Sequence, residues 1–508
     1  MMKSITRYAL LLSAALTAGS CNKWLDGAQP KDQNLDDYQY ATEMGVNSVL
    51  NGFYRTLSSE TLYGSVMTMT AVELLAHYYY YEEDLLNNGD FTYFNFMSNY
   101  MYDDAVVKSP FSGVWKASYN LIFQLNNFID RVAVSNILSE EKKNVALGEA
   151  YGLRAFLHLD LFRLFGAETQ HIPYNTSAEV VPHETRTPDD FFTLLLQDVE
   201  QAKELLKNDP IIANGVLDLT NVEPTANLTE KEIFDKYLRN YRMNYYAVQA
   251  LQARALMFKG DTREAAAVAQ KLIDEAFAGK PFRWADKAKI VSDRNFIFYS
   301  EVIFGVYNLD LYTTWEKYTN GTRQGQTYAV SVENLHNNIF RFDNTGSDVS
   351  LWEDLRIRPW LSSAAGQGLY VSYKFANFVR TNDNDPIRYF QPLIRMSEMF
   401  YIVAENLLLS EEVPAAVQLL NVLRMQRNSQ LESLPDPAAT TAQQAFDILE
   451  AEYYKEFYAE GQVYFYLKRR KSSQIFDANR QGKVEAAKYS PPTGSIYLIP
   501  IPESETNL

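Results

Sequence analysis

GEAYGLRAFLHLDLFRLFG, residues 148–166, sets apolar side chains at Ala150, Leu153, Phe156, Leu157, Leu161, Leu164 and Phe165. These three- and four-residue steps are the signature of one helix face. Gly166 stands where a left-handed residue commonly closes a helix. The run extends upstream through Leu147 into KNVAL, so the spacing predicts one long helix ending at Gly166. Upstream, VWKASYNLIFQLNNFIDRV carries the same period through Trp115, Tyr119, Ile122, Leu125, Phe128 and Ile129. Downstream, RTPDDFF opens a third helix: Thr187 caps it, Pro188 suits its first turn, and Asp189 and Asp190 meet its positive end. Phe192, Leu195, Leu196, Val199, Ala202 and Leu206 keep the step.

Two later segments repeat a scheme. YYAVQALQARALMFKGDTREAAAVAQKLIDEA places Gly260 and Asp261 between two alanine-rich helices, and IRMSEMFYIVAENLLLSEEVPAAVQLLNVLRMQRN places an acidic turn before Ala415 and Ala416. Small residues where paired helices cross are a mark of tetratricopeptide-type hairpins, although no strict 34-residue period is present. A first helix over about 41–58 and a last one over roughly 445–470 complete a helical frame at 41–59, 113–275 and 393–470. Residues 60–112 and 278–392 differ, being rich in Tyr, Asn, Asp and Gly with short strand-like runs at EVIFGVY (301–307) and GLYVSYKF (368–375). The expected fold is all-α dominated, with tetratricopeptide-like helix pairs carrying an irregular, loop-rich region, and such loops are where binding groups collect.

The first twenty residues have the three-part layout of a signal peptide: Lys3 and Arg7, a short apolar run, then small residues. The chain's single cysteine, Cys21, follows immediately, which suggests cleavage before it and lipidation of it, with 21–40 as a tether and 41–508 as one domain. A lone cysteine allows no intrachain disulfide. The formal charge of −16 opposes binding to nucleic-acid phosphates.

Catalytic signatures are missing. The five histidines (His77, His158, His171, His183, His336) form no metal-ligand spacing, and His158 reads as a packed residue within an apolar helix. No nucleophile elbow, phosphate loop or dinucleotide fingerprint occurs. The expectation is of no catalytic residue, no metal ligand set and no cofactor. One enzymatic alternative stays open, a glycosidase using paired carboxylates. Its best local pair is Glu456 and Glu460, one helical turn apart, which equally reads as a structural ion-pair network neutralised by Lys468, Arg469 or Arg154. A loose acidic cluster, Asp343, Asp348, Glu353 and Asp354, gives a weak signal for structural Ca²⁺ beside the reading as solvated loop charge.

Taken in order, these segments resemble the SusD/RagB family of outer-membrane nutrient-binding lipoproteins. CNKWLDGAQPKD is similar to its start after lipidation. WKASYNLIFQLNN matches a family helix at Trp115, Tyr119, Ile122 and Asn126. The stretch 148–166 matches another at Glu149, Ala150, Leu153, Arg154, Ala155, Leu161 and Gly166. SEVIFGVY resembles a family strand, Arg395, Glu398, Ala404 and Glu405 match a further helix, and Glu456, Glu460, Gly461 and Gln462 match a Glu-x3-Glu-Gly-Gln stretch. YLIPIPESE matches the closing Pro-Ile-Pro-x-x-Glu. Departures fall at Val463, Tyr466, Tyr453, Tyr454 and the AETQHIP insertion after Gly166, and they put local ion pairing in question more than the fold. The resemblance implies four helix pairs and a surface lipoprotein, without catalytic activity, that captures oligosaccharide for a SusC-like TonB-dependent transporter. Some relatives take peptides, and that alternative stays open.

Sugar rings pack their C–H faces on aromatic rings, and their hydroxyls need polar partners. The densest such mixtures are DFTYFNFMSNYMYDD (90–104), with Tyr93, Phe94, Asn95, Asn99, Tyr100 and Tyr102, and LYTTWEKYTNGTRQGQ (311–326), with Tyr312, Trp315, Tyr318 and Arg323. These ten are the expected ligand residues from composition alone. Core packing or contact with a transporter is an equal reading for each aromatic.

Overall fold

The computed structural model describes residues 39–81, 92–179, 184–218, 225–277, 281–321, 327–340, 354–363, 368–376, 387–428 and 435–503. Cys21, the leader and the tether up to residue 38 lie outside the described residues. The helices are α1 (Glu43–Leu57), α2 (Ala71–Leu75), α3 (Thr92–Ser98), α4 (Ala105–Val134), α5 (Glu140–Phe165) and α6 (Pro188–Leu205). They continue as α7 (Pro210–Asn214), α8 (Glu230–Tyr237), α9 (Tyr245–Lys259), α10 (Thr262–Ala276), α11 (Leu311–Thr319), α12 (Met396–Leu409), α13 (Val413–Arg427), α14 (Ala442–Glu456) and α15 (Val463–Arg470).

The expected frame forms for the expected reasons. Thr187 accepts a hydrogen bond from the Asp190 N–H with Pro188 in the first turn of α6, and Gly260 closes α9 at φ 104°, a left-handed conformation that costs glycine little. Hairpins α4–α5, α9–α10 and α12–α13 are continuous in sequence. Helix α6 packs against both α5 and α9, and α10 packs against α12, so the pairs join into one row.

Helix α5 is the centre of that row. From Ala146 to Phe165 every residue but Tyr151 is buried, charged ones included. A helix with no solvent face must pair its polar groups internally. Glu149 accepts from Tyr54 on α1 (2.7 Å) and from Arg239 (2.6 Å); Arg154 binds Asp198 on α6 and Asn126 on α4 (2.8 Å). His158 donates from Nδ1 to the Arg154 carbonyl, accepts the Asn175 N–H at Nε2, and stacks on Tyr174 with ring centroids 3.8 Å apart. It is the packed residue expected.

Three expectations are corrected. Gly166 is extended (φ −70°), not left-handed, and glycine is required there for space: a Cβ would stand 2.4 Å from the Phe162 ring. Gly166→Ala is therefore expected to cost about 1–3 kcal/mol of stability through overpacking, read as a lowered urea midpoint; an unchanged midpoint would show that the ring swings aside freely. The helix expected over 445–470 divides into α14 and α15, because Ala459 and Gly461 turn the chain at φ 58° and 70°. At Gly461 a Cβ would fall 1.9 Å from the Met67 carbonyl oxygen. The stretch 60–112 is also less irregular than its composition implies, since it contains α2, α3 and the start of α4.

The strand-like runs form as expected. Strand β1 (Val302–Tyr307) pairs antiparallel with β2 (Phe390–Arg395), with register shifts around Phe304, and Gly305 lies under Phe390. Val330–Ser331, Leu369–Ser372 and Trp360–Ser362 form a separate small sheet. This layer carries α11 on the helical frame.

Candidate functional site

Helix α11 buries Leu311 and Trp315 one turn apart, and Trp315 anchors it by donating from Nε1 to the Ser372 carbonyl at 2.9 Å. Tyr318, three residues further on and so on the same side of the helix, packs against the edge of the core and stays half-buried. On α3, Phe94 and Met97 face inward and Tyr93 remains half-buried. The two helices meet across a cleft of about 800 Å³ lined by Glu60, Thr61, Ser65, Val66, Thr70, Tyr93, Phe94, Ala105, Val106, Ser109, Pro110, Tyr318 and Tyr328. Its volume falls in the ordinary range for a small-molecule site.

Tyrosines organise this cleft. Tyr328 lies at its floor, in edge contact with Tyr318 (ring centroids 5.0 Å) and tilted against Phe94 (4.7 Å). Its hydroxyl faces the same cleft as those of Tyr93 and Thr70, and the Thr70 hydroxyl lies 3.2 Å from that of Ser65. Burial pushes the Tyr93 and Tyr328 phenols up from their ordinary value, so both remain neutral hydroxyls that donate and accept. At the rim, Glu60 accepts from the Lys317 ammonium at 3.0 Å and lies 3.5 Å from the Tyr318 hydroxyl. The arrangement offers ring faces beside uncharged hydroxyls, the pairing a sugar needs.

The structure thus brings Tyr93 and Phe94 from one sequence cluster against Tyr318 from the other. It places the remaining expected residues elsewhere. Tyr100 and Tyr102 are core: their hydroxyls donate to the carbonyls of Leu75 (2.9 Å) and Ile496, and neither ring is more than 1% exposed. Asn95 is fully buried, and Asn99, just past the end of α3, donates to the Asn95 carbonyl. Trp315 is the buried anchor described above. Tyr312 lines a separate small cavity with Arg294, Lys374 and Arg388, its hydroxyl 2.9 Å from that of Tyr389. Arg323 lies outside the described residues. Glu60, Ser65, Thr70, Ser109 and Tyr328 were not singled out by sequence; only Tyr328, an aromatic ten residues past Tyr318, carried a signal.

The carboxylate pair belongs to a different place. Glu456 and Glu460 are buried and held by guanidinium groups, but not those expected. Glu456 is bound by Arg395, Arg427 (2.7 Å) and Arg356 (3.0 Å), and Glu460 by Arg395 (2.8 Å) and Lys374 (2.7 Å). Arg154 pairs with Asp198 and Arg469 with Glu405, whereas Lys468 donates to the Leu164 carbonyl, burial pulling its pKa down to about 7. The ion-pair network is the reading these contacts support. Of the acidic cluster considered for Ca²⁺, Asp343, Asp348 and Glu353 lie outside the described residues, and both Asp354 oxygens accept from Arg356.

Comparison with known proteins adds to this geometry. A family model described as starch-binding and associating with the outer membrane matches residues 23–214, and a SusD family model matches 357–508. A SusD-like protein P2 of Formosa agariphila is 28% identical over 181 residues, a match spanning 33% of this chain and 32% of that relative's length. Among solved structures, a SusD superfamily protein of Bacteroides thetaiotaomicron shares the fold at TM-score 0.66 and 20% identity, covering 92% of this chain and 98% of that one. A laminarin-binding SusD-like protein does so at TM-score 0.58 and 16% identity, covering 92% and 97%.

Proposed function

From the membership of this chain in the SusD/RagB family, shown by two family models along its length, we propose that it is a non-catalytic, cell-surface lipoprotein of the outer membrane that binds oligosaccharide and hands it to a SusC-like TonB-dependent transporter. The observation that carries the binding role is the tyrosine cleft, in which Tyr93 and Tyr318 present half-buried rings beside a group of neutral hydroxyls. The laminarin-binding neighbour and the starch-binding family description support a glycan as the ligand. Lipidation of Cys21 would hold the protein at the membrane, where one acylated residue with several chains gives stable attachment. Among the described residues no helix is long and apolar enough to cross a membrane.

The chemistry of the cleft supports binding without turnover. Glycoside hydrolysis by paired acids needs two carboxyl groups facing each other across the bond. Glu60 is the one carboxylate among the described residues lining the cleft, and Glu456 and Glu460 are consumed by the arginine network.

The test is a calorimetric screen of starch, laminarin, mannan and xylan against the full-length protein in a detergent without a sugar headgroup, with reducing-end release followed in the same samples. Saturable binding without release is expected. Release of reducing ends, or binding of peptides with no glycan bound, would overturn the reading.

A further inference from the structure

The charge pattern of the cleft narrows the class of glycan. Glu60 is the charged residue among its described lining; the others are Ser, Thr, Tyr, Phe and aliphatic side chains. The nearby cation, Lys317, already lies 3.0 Å from the Glu60 carboxylate and 5.1 Å from the centre of the Tyr318 ring. Tyr93 and Tyr328 present neutral hydroxyls. The cations of this layer gather instead near the opposite end of α11, where Arg294, Lys374 and Arg388 surround the separate cavity at Tyr312.

A uronate or sulfate entering the cleft gives up hydration and meets no guanidinium or unpaired ammonium among these residues. It also approaches the Glu60 carboxylate, which is half exposed and paired with Lys317, and which adds a modest repulsion while offering an anion no donor. The chain's net charge of −16 adds a long-range penalty of the same sign. An uncharged sugar meets none of these costs. Its hydroxyls find the Ser65, Thr70, Tyr93 and Tyr328 donors and acceptors, and Glu60 is a further acceptor.

We infer that this cleft selects uncharged glycan and discriminates against chains bearing uronate or sulfate, a specificity that rests on the glycan-binding role proposed above. The neutral polymer that binds most tightly in the starch, laminarin, mannan and xylan screen provides the probe. It is oxidised to the 6-carboxylate, or for xylan glucuronidated, and part of the product is converted to its methyl ester, which keeps the skeleton and removes the charge. Each derivative then competes against the bound parent polymer, so that the readout reports the parent's own site. The carboxylate form is expected to displace the parent about tenfold or more less effectively than its ester at low salt. Added salt should narrow the gap, because screening weakens the repulsion. Glu60→Gln should also narrow the carboxylate-to-ester ratio, by about threefold. A carboxylate form that competes as well as its ester would overturn the inference while leaving glycan binding intact. A ratio unmoved in Glu60→Gln would remove Glu60 from the explanation and overturn it as argued. If no neutral polymer binds at all, the glycan-binding role fails, and this specificity falls with it.

Discussion

Glu456→Gln is expected to lower the unfolding free energy by about 3–5 kcal/mol, the usual cost of removing one partner from a buried ion pair. Glu456 is the carboxylate that Arg356, Arg395 and Arg427 share, and its own side chain has no solvent exposure. Arg427 reaches Glu301 from the same position, at 2.6 Å, which ties α13 to the start of β1. Arg395, at the end of β2, also binds the Glu456 carbonyl and Glu460 on the turn before α15. Glutamine fits the space but leaves three guanidinium groups short of one negative charge in a region closed to water. The check is a urea titration followed by circular dichroism, with Glu204→Gln in the exposed pair with Lys207 as the comparison. A Glu456→Gln midpoint no lower than that of the surface variant would show that the network does not hold the frame together.

The same network sets a direction for pH. Burial alone would raise the Glu456 pKa, but Arg427 and then Arg395 outweigh it and hold the carboxyl well below its ordinary 4.5. Glu452 is likewise held low, burial being outweighed by Arg356 and Lys455. A depressed carboxylate binds its proton more readily when unfolded, so its contribution is complete above the unfolded value and is lost as pH falls toward the folded one. The urea midpoint should therefore fall as pH is lowered from about 4.5, and Glu456→Gln should flatten that fall.

These contacts explain what the sequence made legible. The family motifs at Glu149, Arg154, Arg395, Glu398, Glu405, Glu456 and Glu460 are frame residues, each binding a partner on another element. Helical periodicity located those elements because burial of one face is a local pattern. It did not say which arginine meets which glutamate: Arg395 and Glu456 are 61 residues apart, and the expected partners of the pair were wrong for that reason. The tyrosines pose the same difficulty. Tyr100 and Tyr102 are polar-tipped aromatics like Tyr93, and composition cannot separate them. Their hydroxyls are satisfied by carbonyls 25 and 394 residues away, and those non-local partners make them core. Tyr93 and Tyr318 differ only in where α3 and α11 happen to meet.

The combined variant Tyr93→Ala/Tyr318→Ala is expected to weaken glycan affinity by about 100-fold, roughly tenfold for each ring. A buried aromatic anchor at a binding site commonly contributes about 2 kcal/mol when truncated, against 1.4 kcal/mol for each factor of ten. Both rings are half-buried in the free protein, so their removal opens little core, and Tyr328 keeps its edge contact with Tyr79 at 4.7 Å. The unfolding midpoint should thus change far less than the affinity. Two comparisons separate the cleft from the surrounding aromatics. Tyr100→Phe removes a buried hydroxyl that serves the Leu75 carbonyl and should cost about 1 kcal/mol of stability with affinity unchanged. Tyr312→Ala perturbs the cavity at the other end of α11 and should likewise leave affinity unchanged. Calorimetry with the polymer that binds the unaltered protein decides between the two places. Full affinity in the Tyr93/Tyr318 variant together with its loss in Tyr312→Ala would move the site to the Arg388 cavity, where cations surround the ligand and the expected preference for uncharged sugars would reverse.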